Sequence, residues 1–455
     1  MRMGPVATTV LLLTTSGPSA GVQDLATGRV PPVFSSYSVL TATIEAPFAE
    51  LIEKGRRQSD YEVTGSLTLS GADGRRTTSI ENVKITTRGH TSLRESECSF
   101  PKLKLDFADA RVDGTIFENV SALKIGTHCS DQPDGPGGKY GRWPNDKAAH
   151  REAFVYRLLE ATGVPSLKAR PARLTYIDSR AGKRPAEPLV RDAMWLEDDS
   201  EALERYGARS ELSPRQFGSA PSVFAMADLA KLFFAEAMIG NFDWCLRMSP
   251  RDTYRCNDTT PIWNVLGFIT SEGMAVPVMH DFDIAGMVTT RHTWFAKVFN
   301  RAFAGSEAEV EVLAQVQRTR SVFPRDLLDA TRRDLVRRKA AAYEALADSP
   351  MDDAGRTAAR NYLDAFYRAI EGDEAFYRPV IVAGTPVLAD AAATRPACPE
   401  EAPPGTPVSE PLETSGDKSR VVLLDALWQW AEKCEAVRQN PVWVPTAAIS
   451  ASYPQ

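Results

Sequence analysis

The stretch Pro277 to Gly286, PVMHDFDIAG, runs apolar up to His280 and then sets two carboxylates, Asp281 and Asp283, around Phe282. Alternate side chains of an extended chain share a face. Both acids should therefore point one way while Phe282 enters the core. Neighbouring carboxylates repel unless something positive stands between them. A metal ion meets that need economically, and an arginine such as Arg291 would also serve. The plainer reading is a strand whose polar end meets water.

Working outward, the preceding stretch IWNVLGFIT joins MAVPVMHDF through Ser271-Glu272-Gly273, a hairpin carrying Asn264 at one end and Asp281 at the other. Upstream, SVFAMADLAKLFFAEAMIG is apolar on most sides, so a buried helix is expected from a Ser222 cap to Gly240. The loop IGNFDW after it holds Asp243. Helices are expected again over 307–371.

The first half alternates in the manner of strands. YSVLTATI is followed by a hairpin around Ala72-Asp73-Gly74, then by FPKLKLDF, whose Lys102 and Lys104 share one face. A strand over 122–125 leads into a Gly/Pro/Asp loop. One long helix, DKAAHREAFVYRLLEATG, should start at an Asp146 cap, stop at Gly163 before Pro165, and carry Glu152 on an early turn. ARPARLTYID and PLVRDAMWL complete a sheet with that helix packed on it. The fold class is α+β. Residues 394–418, rich in Pro, Glu, Thr and Ser, read as a loop, and SRVVLLDALWQWAEKCEAV reads as a last helix.

The 455 residues, 43% hydrophobic and 25% charged with net charge −6, describe a globular protein with several cores and no general nucleic-acid binder. The basic run RRDLVRRK reads as a solvated helix face. Residues 1–21 have a short secretory leader pattern, and no other segment is long and apolar enough for a stable membrane span. An exported chain, secreted or periplasmic, is expected. Six cysteines fit an oxidising compartment. Six cysteines allow 15 connectivities, of which sequence order suggests Cys98 with Cys129, Cys245 with Cys256 and Cys398 with Cys434. No CxxC pair marks a zinc site.

Lysines on a strand, an acid on a helix, an aspartate in a loop, and Asn264 with Asp281 on a hairpin form the part list of phosphoryl transfer. That reaction needs a lysine on the phosphates, an acid to hold it, an aspartate to orient the accepting hydroxyl, and Asn and Asp oxygens for Mg²⁺.

The motifs TRG (Thr87 to Gly89), CSFPKLKLDF, LKIGTHC, HREAFVYRLL, RLTYID, MIGNFDW and PVMHDFD resemble, in order and phrasing, the CotH-type kinases, atypical protein kinases first associated with bacterial spore coats. The resemblance covers roughly Tyr37 to Gly286. It implies a divergent two-lobed protein-kinase-like fold, with a β-rich N-lobe over 35–195 and a mainly helical C-lobe over 196–390 containing a metal hairpin at 262–283. A Pro-rich loop, 391–418, and a C-terminal helix and tail, 419–455, follow. It implies ATP with Mg²⁺ (or Mn²⁺) as cofactors and a protein Ser/Thr acceptor in the envelope or outside the cell. Carried over by position, Lys104 is the phosphate lysine, with Lys102 the alternative on the same strand, and Glu152 is its helix partner. Asp243 is the catalytic aspartate, Asn264 and Asp281 hold metal, and Asp283 adds a second contact. Arg88 reaches a phosphate.

The sequence departs from ordinary kinases in three places. No G-x-G-x-x-G loop is present. The insert CLRMSPRDTYRCNDTTPIW separates Asp243 from Asn264, and a Cys245–Cys256 disulfide would close it and return Asn264 to reach. Asn257 is the rival ligand. Asp283 stands where DFG has glycine. His280 reads as a packed strand-end histidine, and His128 beside a paired Cys129 as inert. Trp428, Trp430 and Trp443 read as packing residues. The rival functions are a pseudokinase-like binding or structural surface protein that has lost its chemistry, and a small-molecule or glycan kinase. Oligomeric state is left open.

Overall fold

The computed structural model describes residues 28–450 except 72–75, 127–146, 181–186, 249–255, 291–306, 403–405, 424–433, 435–440 and positions 59, 91, 96, 97, 99, 215, 216, 257, 258, 378 and 407. The expected leader, the Ala72-Asp73-Gly74 turn, His128, Cys129, Asp146, Asn257, Arg291, Trp428 and Trp430 lie outside the described residues.

The fold is α+β, with a β-rich N-terminal part followed by helices. Seven strands close into a barrel in the order β1-β2-β3-β4-β5-β7-β6. They are β1 (Leu40–Ala46), β2 (Glu62–Ser70), β3 (Arg76–Arg88), β4 (Lys102–Asp106), β5 (Ala122–Gly126), β6 (Ala169–Asp178) and β7 (Leu189–Glu197). The sequence predicts a sheet with one long helix packed on it. It closes because β1 pairs in parallel with β6, Leu40 opposite Ala172 through Ala46 opposite Asp178. The period-two alternation fills the barrel with Ile44, Leu67, Ile85, Leu103, Leu105, Leu123, Ile125, Leu174 and Trp195. A helix the pattern did not reveal, α1 (Phe48–Gly55), sits after β1 and buries Phe48 and Leu51.

Helix α2 (Ala148–Ala161) contacts β6 and β7 on one side and helices of the second half on the other. Nearly every residue from Ala149 to Leu159 is buried, including Arg151 and Glu152. Gly163, at φ 69°, lies just past its end.

At the end of β7 the chain turns through α3 (Asp199–Arg205). The Arg205 guanidinium grips Glu197 with two hydrogen bonds of 2.7 Å and donates to Ser166 O at 2.9 Å. Both side chains are essentially fully buried, and Glu197 also accepts the Lys168 N–H. This pair fixes the passage from barrel to helices.

The helical half follows. The apolar run after Ser222 begins later than expected: α4 (Ala220–Val223) stops where Phe224 turns extended, and α5 (Met226–Ile239) then starts. Leu229 to Ile239 are all buried, as an all-round apolar helix requires. After β8 (Ser210–Glu211), β9 (Cys245–Leu246) and β10 (Ile262–Trp263), the expected hairpin forms from β11 (Val265–Ile269) and β12 (Ala275–Met279). Helices α6 (Gly286–Thr289), α7 (Glu307–Val322), α8 (Arg325–Arg337), α9 (Lys339–Ala347) and α10 (Asp353–Ile370) complete the second core.

The final segment departs from the sequence reading. Ser419–Val421 belongs to a strand, β15 (Lys418–Val421), between β14 (Glu413–Ser415) and β16 (Val442–Pro445). Its burial alternates, Ser419 and Val421 inward, so the local period is two. β13 (Val380–Ile381) and β17 (Ile449–Ser450) pair beside it. Disulfides join Cys245 to Cys256 and Cys398 to Cys434, as expected. Among the described residues no helix is long and apolar enough to cross a membrane.

Removing one member of the Glu197–Arg205 pair leaves a buried charge without its partner. Arg205→Ala should lower stability by about 3–5 kcal/mol, read from urea unfolding. A loss below about 1 kcal/mol would show that the pair fixes nothing there.

Candidate active site

The site lies where the end of β12 meets β4 and α2. β12 stops at Met279, and Asp281 takes a left-handed conformation, φ 61°. The strand therefore does not run on through Asp283, as the sequence led one to expect. Both acids nevertheless face one cation. Lys102 Nζ donates to Asp281 Oδ1 at 2.7 Å and to Asp283 Oδ2 at 3.2 Å. Phe282 is fully buried and packs on Tyr156 with ring centroids 4.9 Å apart.

Lys104 and its alternative Lys102 meet different partners. Lys102 and Lys104 do share a face, but a residue pair spans about 6.6 Å of strand, and that separates their partners. Lys102 meets the aspartates. Lys104 pairs with Asp198 at 2.9 Å, beside the passage into α3. Lys124, opposite Lys104 in the ladder, pairs with Asp199. Burial lowers the Lys124 pKa. The sequence reading passed over Lys124, although LKIG was one of its motifs.

Burial works against the Lys102 charge, but Asp281, Asp283 and Glu152 outweigh it and raise its pKa. Burial likewise works against the Asp281 carboxylate, and Lys102 above all outweighs it, leaving that pKa depressed. The His280 imidazole is held down to about 4, mainly by burial. It is neutral at pH 7 and unsuited as a cationic partner.

Glu152 is buried behind this cluster, and burial pushes its carboxyl up to about 8 against the pull of Lys102. It makes no ion pair with Lys102 within 4.0 Å among the described residues. Its Oε1 instead accepts the Phe282 N–H at 3.3 Å. One helical turn on, the Tyr156 hydroxyl oxygen accepts the Asp281 N–H at 3.1 Å. Arg88, expected on a phosphate, donates to the backbone carbonyls of Leu103 at 3.2 Å and Ile125 at 3.3 Å. It bridges β4 and β5, and its charge still acts on Lys102.

Asp243 and Asn264 come together despite the insert. β9 and β10 pair Cys245 with Trp263 and Leu246 with Ile262, so the chain leaves and returns at one place. Asn264 then turns left-handed, φ 53°, which Asn tolerates. Its Nδ2 donates to the Asp243 backbone carbonyl and to Asp243 Oδ2 at 3.3 Å. Asn264 O accepts the His280 N–H at 3.3 Å, placing Asn264 next to Asp281 across the hairpin end.

The Asp243 loop is anchored from beneath. Gly240, φ 63°, ends α5 with Asn241 N–H on Glu236 O at 3.0 Å and Gly240 N–H on Ala237 O at 3.2 Å, the Schellman pattern. Trp244 Nε1 and Gln315 Nε2 both donate to Asn241 O. Gly240 O accepts the Gly286 N–H at 3.0 Å. Tyr362 of α10 lies against both glycines, so a Cβ at either would collide with its ring or hydroxyl. Arg151, beside Glu152, donates to both Asp352 oxygens at 2.8 and 2.7 Å and to Val288 O and Thr290 Oγ1.

The carboxylates of Asp281 and Asp283 with the Asn264 amide oxygen are hard donors of the kind Mg²⁺ takes. They sit at one hairpin end, which fits such an ion. Among the described residues no group of three or more His, Cys, Asp or Glu side chains gathers as a protein-only metal cage. Any ion held here draws on Asn264, water or a ligand for the rest of its shell.

No family model matches the sequence, and no curated protein matches it. Solved structures that resemble the chain in part include two. The Helicobacter pylori proinflammatory kinase CtkA is 10% identical with a TM-score of 0.29, over 59% of this chain and 88% of that one. The Shewanella oneidensis MR-1 toxin–antitoxin complex of HipA and HipB with operator DNA is 14% identical with a TM-score of 0.28, over 60% of this chain and 63% of that one. One of the two is described as a kinase and neither as CotH-type, and likeness at this level decides nothing about the role of this chain.

Tyr362 makes Gly286 a required residue. Gly286→Ala should cost about 1–3 kcal/mol. Adding Tyr362→Phe, which removes the hydroxyl in the new methyl's path, should return part of that loss. Urea unfolding of the two single variants and the double measures the coupling, and strictly additive losses would rule out the clash.

Proposed function

We propose that the chain is an exported, Mg²⁺-dependent kinase that transfers the ATP γ-phosphoryl group to Ser or Thr of a secreted or envelope protein. The observation that carries this reading is the Lys102 ammonium held between Asp281 and Asp283, with Glu152 behind it and Asp243 joined through Asn264 at the same hairpin end. The CotH-type motifs support the same reading, and the disulfides are compatible with an extracytoplasmic setting.

In this mechanism Lys102 binds phosphate oxygens, and Glu152 and Tyr156 hold the backbone of Asp281 and Phe282 around it. Mg²⁺, when bound by Asp281, Asp283 and Asn264, supplies charge neutralisation on the phosphates. Asp243 orients the acceptor hydroxyl and takes its proton late. The hydroxyl oxygen bonds to the γ-phosphorus as the bond to the β-phosphate oxygen breaks, and ADP leaves. Asn264 restrains Asp243 through its carboxylate. Without a side chain holding it, that carboxylate would lose the orientation on which base catalysis depends.

A second reading is a nucleotide-binding or structural surface protein without catalysis. One observation favours it: Lys102 already neutralises both acids that would hold metal.

Thermal unfolding with Mg-ATP and transfer of labelled phosphate to an acceptor panel separate the two. Native protein should be stabilised only with a divalent metal, and Asp281→Asn should lose that stabilisation. Asp243→Asn should keep it while transfer falls by about 100-fold or more. No stabilisation in any divalent metal would sink the kinase reading, and binding without transfer would favour the second.

A further inference from the structure

Asp281 is a non-glycine residue in the left-handed region, which Asp enters less freely than glycine does. Such a residue persists where its surroundings over-determine it. Here two successive backbone amides, those of Asp281 and Phe282, are received by side chains one turn apart on α2, Tyr156 and Glu152. Tyr156 does two things at once. Its ring packs on Phe282 at 4.9 Å and its hydroxyl oxygen accepts the Asp281 N–H. Tyr156 is almost fully buried, and burial raises its pKa well above the ordinary tyrosine value, so it stays a neutral phenol.

We infer that Tyr156 is a positioning residue of the phosphoryl-transfer site: by holding the Asp281 amide it keeps that backbone left-handed and aims the Asp281 carboxylate beside Asp283. This rests on the proposed function for its metal role and on geometry alone for its backbone role. Tyr156 meets the Asp281 backbone with its hydroxyl and Phe282 with its ring. It acts through Asp281. α2 itself is fastened to the far side of the segment by Arg151, which reaches Val288, Thr290 and Asp352. Tyr156 therefore pulls from a fixed support.

The test uses Tyr156→Phe, which keeps the ring on Phe282 and removes only the acceptor oxygen. Tyr206→Phe is the control. Tyr206 is another buried tyrosine, whose hydroxyl bonds Ser166 at 3.1 Å; Ser166 is bridged to Met279, so this variant disturbs the neighbouring backbone without removing the acceptor of the Asp281 amide. Each should lower the melting temperature by about 1–3 °C, the effect of one buried hydrogen-bonding group left unpaired in a chain of 455 residues. Hydrogen exchange of peptides covering 280–286 in ligand-free protein should speed up about fivefold or more in Tyr156→Phe and stay unchanged in Tyr206→Phe. The Mg²⁺ concentration giving half-maximal nucleotide stabilisation should rise about 10–100-fold in Tyr156→Phe alone.

Unchanged exchange in Tyr156→Phe would overturn the inference. So would a faster exchange with a native Mg²⁺ midpoint, or an equal midpoint shift in Tyr206→Phe. A native protein that binds no metal–nucleotide overturns the kinase reading and the metal role with it, while the exchange arm still decides whether Tyr156 holds Asp281.

Discussion

The Lys102 ammonium, buried between two carboxylates, is the interaction on which the rest of the arrangement depends. It starts on a barrel strand and ends on the hairpin of the helical half, so one side chain joins the two cores. A buried cation without partners is costly, and so is a close pair of acids. Each therefore requires the other, and the segment after β12 must stay where Lys102 can reach it. That requirement explains why so much of the structure converges on residues 281–290. Tyr156 and Glu152 take the amides of Asp281 and Phe282, Tyr362 presses on Gly286, and Arg151 takes Val288 and Thr290.

The same segment positions the Asp243 loop. Gly240 accepts from Gly286, and Tyr362 leaves room for no side chain at either position. The insert between Asp243 and Asn264 is tolerated because β9 and β10 close it at its base and the Cys245–Cys256 disulfide ties its interior. A long excursion thus costs the site little in geometry, since loop closure entropy grows only slowly with length.

Much of this was legible in the residues. The alternation of β1 to β7, the all-round apolar α5, the β11–β12 hairpin and two local cysteine pairs were expected and are present. In PVMHDFDIAG the alternation predicts two acids facing one way around a metal or an arginine such as Arg291; both acids face the Lys102 ammonium, and Arg291 lies outside the described residues. Other features were hidden for definite reasons. Barrel closure depends on a parallel pairing of β1 with β6, segments too far apart for any local period to signal. The left-handed turn at Asp281 defeats strand alternation, because Asp carries no marker such as glycine would. Ser419–Val421 looked helical because apolar runs of that length carry either period.

The sequence by itself determined the strand and helix periods, the cysteine neighbours and the residue types able to carry phosphoryl transfer, since these depend on local spacing and side-chain chemistry. Only the tertiary structure gave Lys102 and Lys104 different partners. Period two places both on one face, and the end of the strand that meets β12 is set by packing of distant segments. The same holds for Glu152 and Tyr156. Their spacing on α2 puts them on one face, but that face acquires its role only when the backbone of Asp281 and Phe282 is brought against it.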